Sequence, residues 1–239
     1  MTRTKTRPRR GKTKLDRGEA TGERPVGGKS EATRRRLLDR ALALFQKRGV
    51  EATTMRDIAD AAGMSLGAAY YYFPSKEALV FAFYEENQQE VERLELKGSL
   101  RDQIAELLHA KLRSIRDQRH MLGTIIQRLI DPGDPLSAFS SQTKAVRDRA
   151  IGVFARPLRE AGLPAEPVAV LAHALWMLQL AVMLVYIKDE TPGQKRTHGL
   201  VDDVVDMLAP LVPFIGTPFG KGMVERVVAA LDRAGIAVL

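Results

Sequence analysis

The feature that most constrains this chain is its punctuation. From Ser30 onward apolar residues recur three and four positions apart, in stretches cut by glycine and proline. That period is helical, and one face of each stretch must be covered by a neighbour. The separators are Lys97-Gly98, Asp131-Pro-Gly-Asp-Pro135, Gly162-Leu-Pro164, Thr191-Pro-Gly193 and Gly216-Thr-Pro218. Between them the pattern predicts helices over about 99–117, 119–130, 136–161, 166–188, 194–212 and 219–234. No stretch alternates with period two and β-branched enrichment, so no sheet is expected. The chain therefore reads as all-α.

The front of the chain divides more finely. Leu37, Ala41, Leu44 and Phe45, with Leu38 and Leu42 beside them, form one apolar stripe. Lys47 and Arg48 followed by Gly49 give a basic last turn and a residue able to stop the helix. Thr54-Met-Arg-Asp57 fits a capping box with Asp in place of Glu, and the helix it opens stops at Gly63. Ser65 caps a third short helix over Leu66 to Phe73, ended by Pro74. Ser75 caps a fourth, from Lys76 to about Leu96.

Charge is distributed unevenly. The 239 residues carry net +8, but residues 1–30 hold ten basic side chains against three acidic ones. The remainder is almost neutral. Residues 1–29 offer too few large aliphatics to repay ordering entropy, so a disordered basic arm that favours a polyanion is expected. The arm lacks the apolar core of a signal peptide. Val168 to Ile187 runs twenty residues without a formal charge, long enough to cross a bilayer. It is Ala- and Met-rich, contains His173 and Gln179, and lacks a strong positive flank, so a buried or interface helix is expected, with no membrane partner. Zero Cys removes disulfides, thiolate metal sites and a cysteine nucleophile. The four histidines, 109, 120, 173 and 198, lack close ligand spacing, so neither a metal nor a cofactor is expected. No catalytic fingerprint is present, and no enzyme is expected.

Two short helices joined by Ala62-Gly63-Met64-Ser65 have the arithmetic of a helix-turn-helix. The run Thr53-Thr-Met-Arg-Asp-Ile-Ala-Asp-Ala-Ala-Gly-Met-Ser-Leu-Gly-Ala-Ala-Tyr-Tyr-Tyr-Phe-Pro-Ser-Lys-Glu-Ala-Leu79 resembles the DNA-binding module of the tetracycline-repressor (TetR) family. Ala43-Leu-Phe-Gln-Lys-Arg-Gly49 resembles it too. The resemblance covers about residues 31–80. Candidate DNA contacts are Thr53, Thr54, Arg56, Ser65, Leu66, Gly67, Ala68, Tyr70, Tyr71, Tyr72 and Lys76. A glycine early in a helix costs ~1 kcal/mol against Ala; close approach of DNA backbone or base would explain Gly67. Three consecutive tyrosines cannot all face inward, so at least one phenol is exposed to meet phosphate or thymine methyl. The resemblance places Tyr70 and Tyr72 on phosphates and Tyr71 near bases. Arg56 is the candidate for a guanine. Ala68 stands where the family usually carries a polar residue, which leaves few hydrogen-bonding groups for base edges.

The resemblance implies a helix-turn-helix domain over 30–76 and a helical domain over 77–239 that binds an effector and dimerises. Palindromic double-stranded DNA, a second copy of the chain and a small apolar or aromatic molecule are the expected partners, in the cytoplasm. The expected dimer seam is the helix over 166–188 with the one over 194–212, the latter through Val201, Val204, Val205, Leu208, Leu211 and Val212. Candidate ligand-binding residues are His109, Leu112, His120, Leu122, Ile126, Gln127, Phe154, Trp176 and Tyr186. A repressor released by its ligand is the leading expectation. An architectural DNA-binding protein with no effector, and a regulator controlled by a protein partner, stand beside it.

Overall fold

The computed structural model describes Met1 and residues 26–131, 133–215 and 217–233. Most of the predicted arm, residues 2–25, lies outside the described residues. Among the described residues twelve α-helices and no strand are found: α1 (Val26–Arg48), α2 (Met55–Ala61), α3 (Leu66–Tyr72), α4 (Lys76–Glu92), α5 (Leu100–Ser114), α6 (Arg119–Thr124), α7 (Ile126–Ile130), α8 (Lys144–Glu160), α9 (Ala165–Lys188), α10 (Lys195–Leu208), α11 (Val212–Ile215) and α12 (Pro218–Arg233).

The first three helices close around one small core. Leu37, Leu38, Ala41, Leu42 and Phe45 of α1 meet Met55, Ile58 and Ala59 of α2 and Ala69 and Phe73 at α3. Each large aliphatic or aromatic buried there contributes about 1.5–3 kcal/mol. Arg34 lays its guanidinium over the Phe73 ring, 4.8 Å from its centre. Gly49 adopts φ +84°, the left-handed conformation that ends α1. The capping box at α2 forms as its residues specify. Thr54 accepts from the Asp57 amide while Asp57 accepts from the Thr54 amide at 2.8 Å. Hydrogen bonds from Thr54 hold the Asp57 carboxyl below its ordinary range, with Arg48 helping from 2.7 Å.

Helices α4 to α12 build the second domain. α8 and α9 form its most extensive pair, and α5, α6, α10 and α12 also lie on α9. α9 is long and apolar enough to cross a membrane by length and composition. Its inward residues, among them Val168, Ala172, Leu175, Trp176, Val182 and Tyr186, are buried among those neighbours.

The structure corrects several predicted boundaries. α1 begins at Val26 and so takes in the end of the predicted arm. α4 stops at Glu92, short of Leu96. The helix predicted over 119–130 breaks at Ile125 into α6 and α7. The helix predicted from 136 begins at Lys144 because side chains capture the backbone ahead of it. Ser137 donates to the Leu129 carbonyl at 3.2 Å, Ser140 to Pro135 at 3.0 Å, and Thr143 to Ser137 at 2.6 Å. Residues 136–143 thus form a hydroxyl-tied loop against α7.

Candidate nucleic-acid interface and ligand cavity

α2 and α3 present one exposed polar surface. Thr54 and Arg56 stand at the start of α2, and Ser65, Gly67, Tyr70 and Tyr71 along α3 are exposed. Tyr71 is the most open of the tyrosines at 81%, with Tyr70 at 47%. Tyr72 is half-buried, and its ring meets Tyr71 edge-on at 5.2 Å. Leu66 and Ala68 are half-buried. Ser65 caps α3 by accepting from the Ala68 amide at 3.2 Å. Arg56 is in no ion pair among the described residues. A Cβ at Gly67 would meet nothing within 4 Å, so no helix packs against that glycine. The open space over it faces outward, where a nucleic-acid backbone could approach.

Two candidates on this surface are occupied internally. Thr53 is fully buried, and its hydroxyl donates to the Gly49 carbonyl at 2.7 Å. It holds the α1–α2 turn and is not offered outward, which removes it from the contact set. Lys76 is half-buried, and its ammonium donates to the carbonyls of Val50 at 2.8 Å and Glu51 at 3.4 Å. It ties α4 to the α1–α2 turn, with one proton left for an outside acceptor.

The two domains are joined by more than α4. Met121 donates its amide to the Gln46 side chain at 3.1 Å, and His120 Nδ1 lies 2.8 Å from the Gln46 carbonyl. Arg128 of α7 is the hub. It reaches Asp134 at 2.8 Å, Glu51 in the α1–α2 turn at 2.8 Å and Glu77 at the start of α4 at 3.1 Å. Burial pushes the Glu77 and Asp134 carboxyls up, but hydrogen bonds, those from Arg128 among them, outweigh it and hold both below their ordinary range.

A cavity of about 320 Å³ lies on the far side of α7, walled by α4, α5, α8, α9 and the hydroxyl-tied loop. Phe83, Ile115, Leu122, Leu129, Leu136 and Trp176 give it an apolar body. Tyr84, Asn87, Gln88, Lys111, Thr143, Arg147 and Gln179 are its polar groups. Leu129 and Ile130, which flank Arg128 in sequence, are part of its wall. A second cavity, about 520 Å³, lies between α5, α9 and the C-terminal helices. It is larger, but its lining from Ile104 to Gly220 holds no polar side chain. The smaller cavity, with convergent polar groups in an apolar body, has the anatomy of a ligand site.

Of the predicted ligand residues, Trp176 and Leu122 line this cavity. The others are corrected. Leu112, Phe154 and Tyr186 are fully buried in the core. His109 pairs with His198, Nδ1 to Nδ1 at 2.8 Å, and with Asp202 at 3.0 Å, between α5 and α10. His120 serves the domain junction, Ile126 packs half-buried against the core, and Gln127 is exposed. The residues missed are Tyr84, Lys111, Arg147 and Gln179. Lys111 carried a readable signal: with Ile104, Leu108 and Ile115 it shares one helical stripe, a lone cation on an apolar face.

A three-helix module with an exposed α3, carried on a helical domain with a cavity, defines a helix-turn-helix regulator. Family models agree over nearly all the described chain. "Bacterial regulatory proteins, tetR family" matches residues 37–83, and "Tetracyclin repressor-like, C-terminal domain" matches residues 85–217. The chain belongs to the TetR family of transcriptional regulators. It is 57% identical over 55 residues to the HTH-type transcriptional repressor KstR2 of Rhodococcus jostii, covering 23% of this chain and 26% of that protein. The chain thus matches only about a quarter of the length of that relative. It is 28% identical over 182 residues to the repressor KstR of Mycolicibacterium smegmatis, covering 73% and 88% of the two chains. A TetR transcriptional regulator from Nitrosomonas europaea shares the fold with a TM-score of 0.58 at 20% identity, covering 74% of this chain and 97% of that one.

Proposed function

We propose that the protein is a homodimeric transcriptional repressor that binds a palindromic operator and releases it when a small, largely apolar ligand enters the α4–α9 cavity. The observation that carries this reading is the position of α7. One side of it walls the cavity through Leu129 and Ile130, while Arg128 grips Glu51 of the DNA-binding module and Glu77 at the start of α4. A ligand that moves α7 moves the turn before α2 and the start of α4 with it. Release follows only if the ligand favours the arrangement that does not fit DNA.

An exposed apolar stripe supports the dimer. Ala174, Met177, Ala181, Leu184 and Val185 fall three and four apart along the outer face of α9. Leu200, Met207, Leu208 and Leu211 stand exposed on the next helices. Two such faces together bury what one chain leaves to water. Val201 and Val205, expected in the seam, instead fill this chain's own core. The test is a gel shift on DNA flanking the gene, with and without a panel of hydrophobic compounds. A retarded band that one compound class dissolves supports the reading. A band indifferent to sequence and to every compound favours an architectural protein.

A further inference from the structure

The cavity's charge is one-sided. Its lining contains two cations, Lys111 and Arg147, and no carboxylate. Arg147 is partly used, donating to the carbonyls of Ala138 and Ser140 at 3.0 Å each. The Lys111 ammonium is in no ion pair or hydrogen bond among the described residues. Two neutral groups in the wall also lack partners. The Tyr84 hydroxyl is buried with no hydrogen bond, and the buried Gln179 amide makes none among the described residues. An unmatched buried donor costs about 1–3 kcal/mol, and an unmatched charge costs more. An acceptor entering the cavity meets the shortfall of the buried Tyr84 hydroxyl and gives the Gln179 amide and the half-buried Lys111 ammonium a partner.

We propose that this cavity takes a hydrophobic monocarboxylic acid, with its carboxylate against Lys111 and its apolar body along Trp176, Leu122 and Phe83. The assignment rests on the reading of this cavity as the effector site and adds the chemical class of the effector. Arg147 is already held by two loop carbonyls, so the carboxylate is placed at Lys111, whose ammonium has no hydrogen bond among the described residues. A cationic amphiphile would face Lys111 and Arg147 with like charge. Burial draws the Lys111 amine down to about 8, against the opposing pull of Glu90 and Glu92 on α4, so it remains mostly protonated at neutral pH. Arriving carboxylate supplies the partner that the ligand-free wall lacks.

Trp176 is the chain's single tryptophan and lies in the cavity wall, so its emission reports occupancy. The probes are decanoate, decanamide and decylamine, titrated into the full-length protein. Decanoate is expected to bind about 10-fold more tightly than decanamide, a difference of about 1.4 kcal/mol, and decylamine not to bind. Lys111→Met should erase the preference for the acid over the amide, while Lys111→Arg should retain it. Equal affinity for acid and amide in the wild type, or an undiminished preference in Lys111→Met, overturns the proposal. If neutral compounds alone perturb Trp176 and dissolve the operator band, the acid is wrong and the effector reading survives. If no compound, charged or neutral, changes either signal, both fall.

Discussion

In the front module the informative residues are on the outside, and in the rear domain they are on the inside. Tyr71, Arg56 and the open flank of Gly67 face solvent on a core of Leu, Ile, Phe and Ala. Lys111, Tyr84 and Gln179 line a cavity between helices, whose rim includes the exposed Ile130, Phe139, Met177 and Leu184. The two regions bury apolar stripes by the same rule and differ in where they depart from it. An outward site needs residues that packing would not choose at the surface. An inward site needs polar residues that packing would not choose in a core.

Val185 on α9 is 43% exposed and Met207 on α10 is 64% exposed, and neither lines the α4–α9 cavity. Val185→Glu combined with Met207→Glu should yield a monomer by sedimentation. Operator affinity should drop about 10²–10⁴-fold, because linked half-site binding is lost, while probe binding at Trp176 persists. A dimer of unchanged stability would move the seam elsewhere.

Gly67→Leu tests the front surface alone. Nothing stands within 4 Å of an added Cβ, and leaving glycine should raise helix stability by about 0.5–1 kcal/mol. The melting temperature should hold or rise while operator affinity falls about 10–100-fold, the equivalent of one or two lost base contacts at ~1–3 kcal/mol each. Unchanged DNA binding would show that nothing approaches α3 there.

Much of the front surface could be read beforehand because a motif states residues one by one. The capping box at Thr54 and Asp57, the Ser65 cap and the exposed tyrosines fall where the pattern puts them. A hydroxyl or ammonium suits a phosphate and a backbone carbonyl equally well, and only the fold shows that Thr53 is turned to Gly49 while Lys76 keeps one proton beyond its bonds to Val50 and Glu51. In the rear domain periodicity located helices but not their partners across space. Leu112 and Lys111 are adjacent in sequence, yet one is in the core and the other in the cavity wall. His109 and His198 are 89 residues apart in the chain and in contact in the fold, which spacing alone does not reveal. The loop at 136–143 defeated the helical reading because its hydroxyls bind the backbone, an outcome set by Leu129 on another element.

The junction is where the two regions become one device. Arg128→Met keeps most of the stem and removes all three ion pairs. DNA affinity without ligand and ligand affinity without DNA should each change only a few-fold. Their coupling, read as the shift in operator affinity on adding ligand, should fall by about 5-fold or more. If the ligand still releases DNA to the same extent in Arg128→Met, the signal passes through α4 or the Gln46 contacts with His120 and Met121 instead.

The smallest effect expected is on stability, and it isolates the inward departure. Lys111 is drawn down to about 8 by burial, with Glu90 and Glu92 pulling the other way. Below about pH 8 the amine is charged in both folded and unfolded chains, and the folded chain bears the whole burial cost. Between about pH 8 and the ordinary lysine value near 10.4 the folded chain sheds the proton while the unfolded chain keeps it. The unfolded state then binds more protons, so this group's contribution to stability rises with pH across that window. Lys111→Met removes the cost at every pH. The ligand-free variant should be more stable than wild type by about 1–3 kcal/mol at pH 7, and the gap should narrow as melts are repeated towards pH 10. Decanoate should narrow it too, by stabilising the wild type more than the variant. Identical melts of the two proteins at pH 7 would mean that water already satisfies the amine, and the cavity would then hold no unmet charge to recruit an acid.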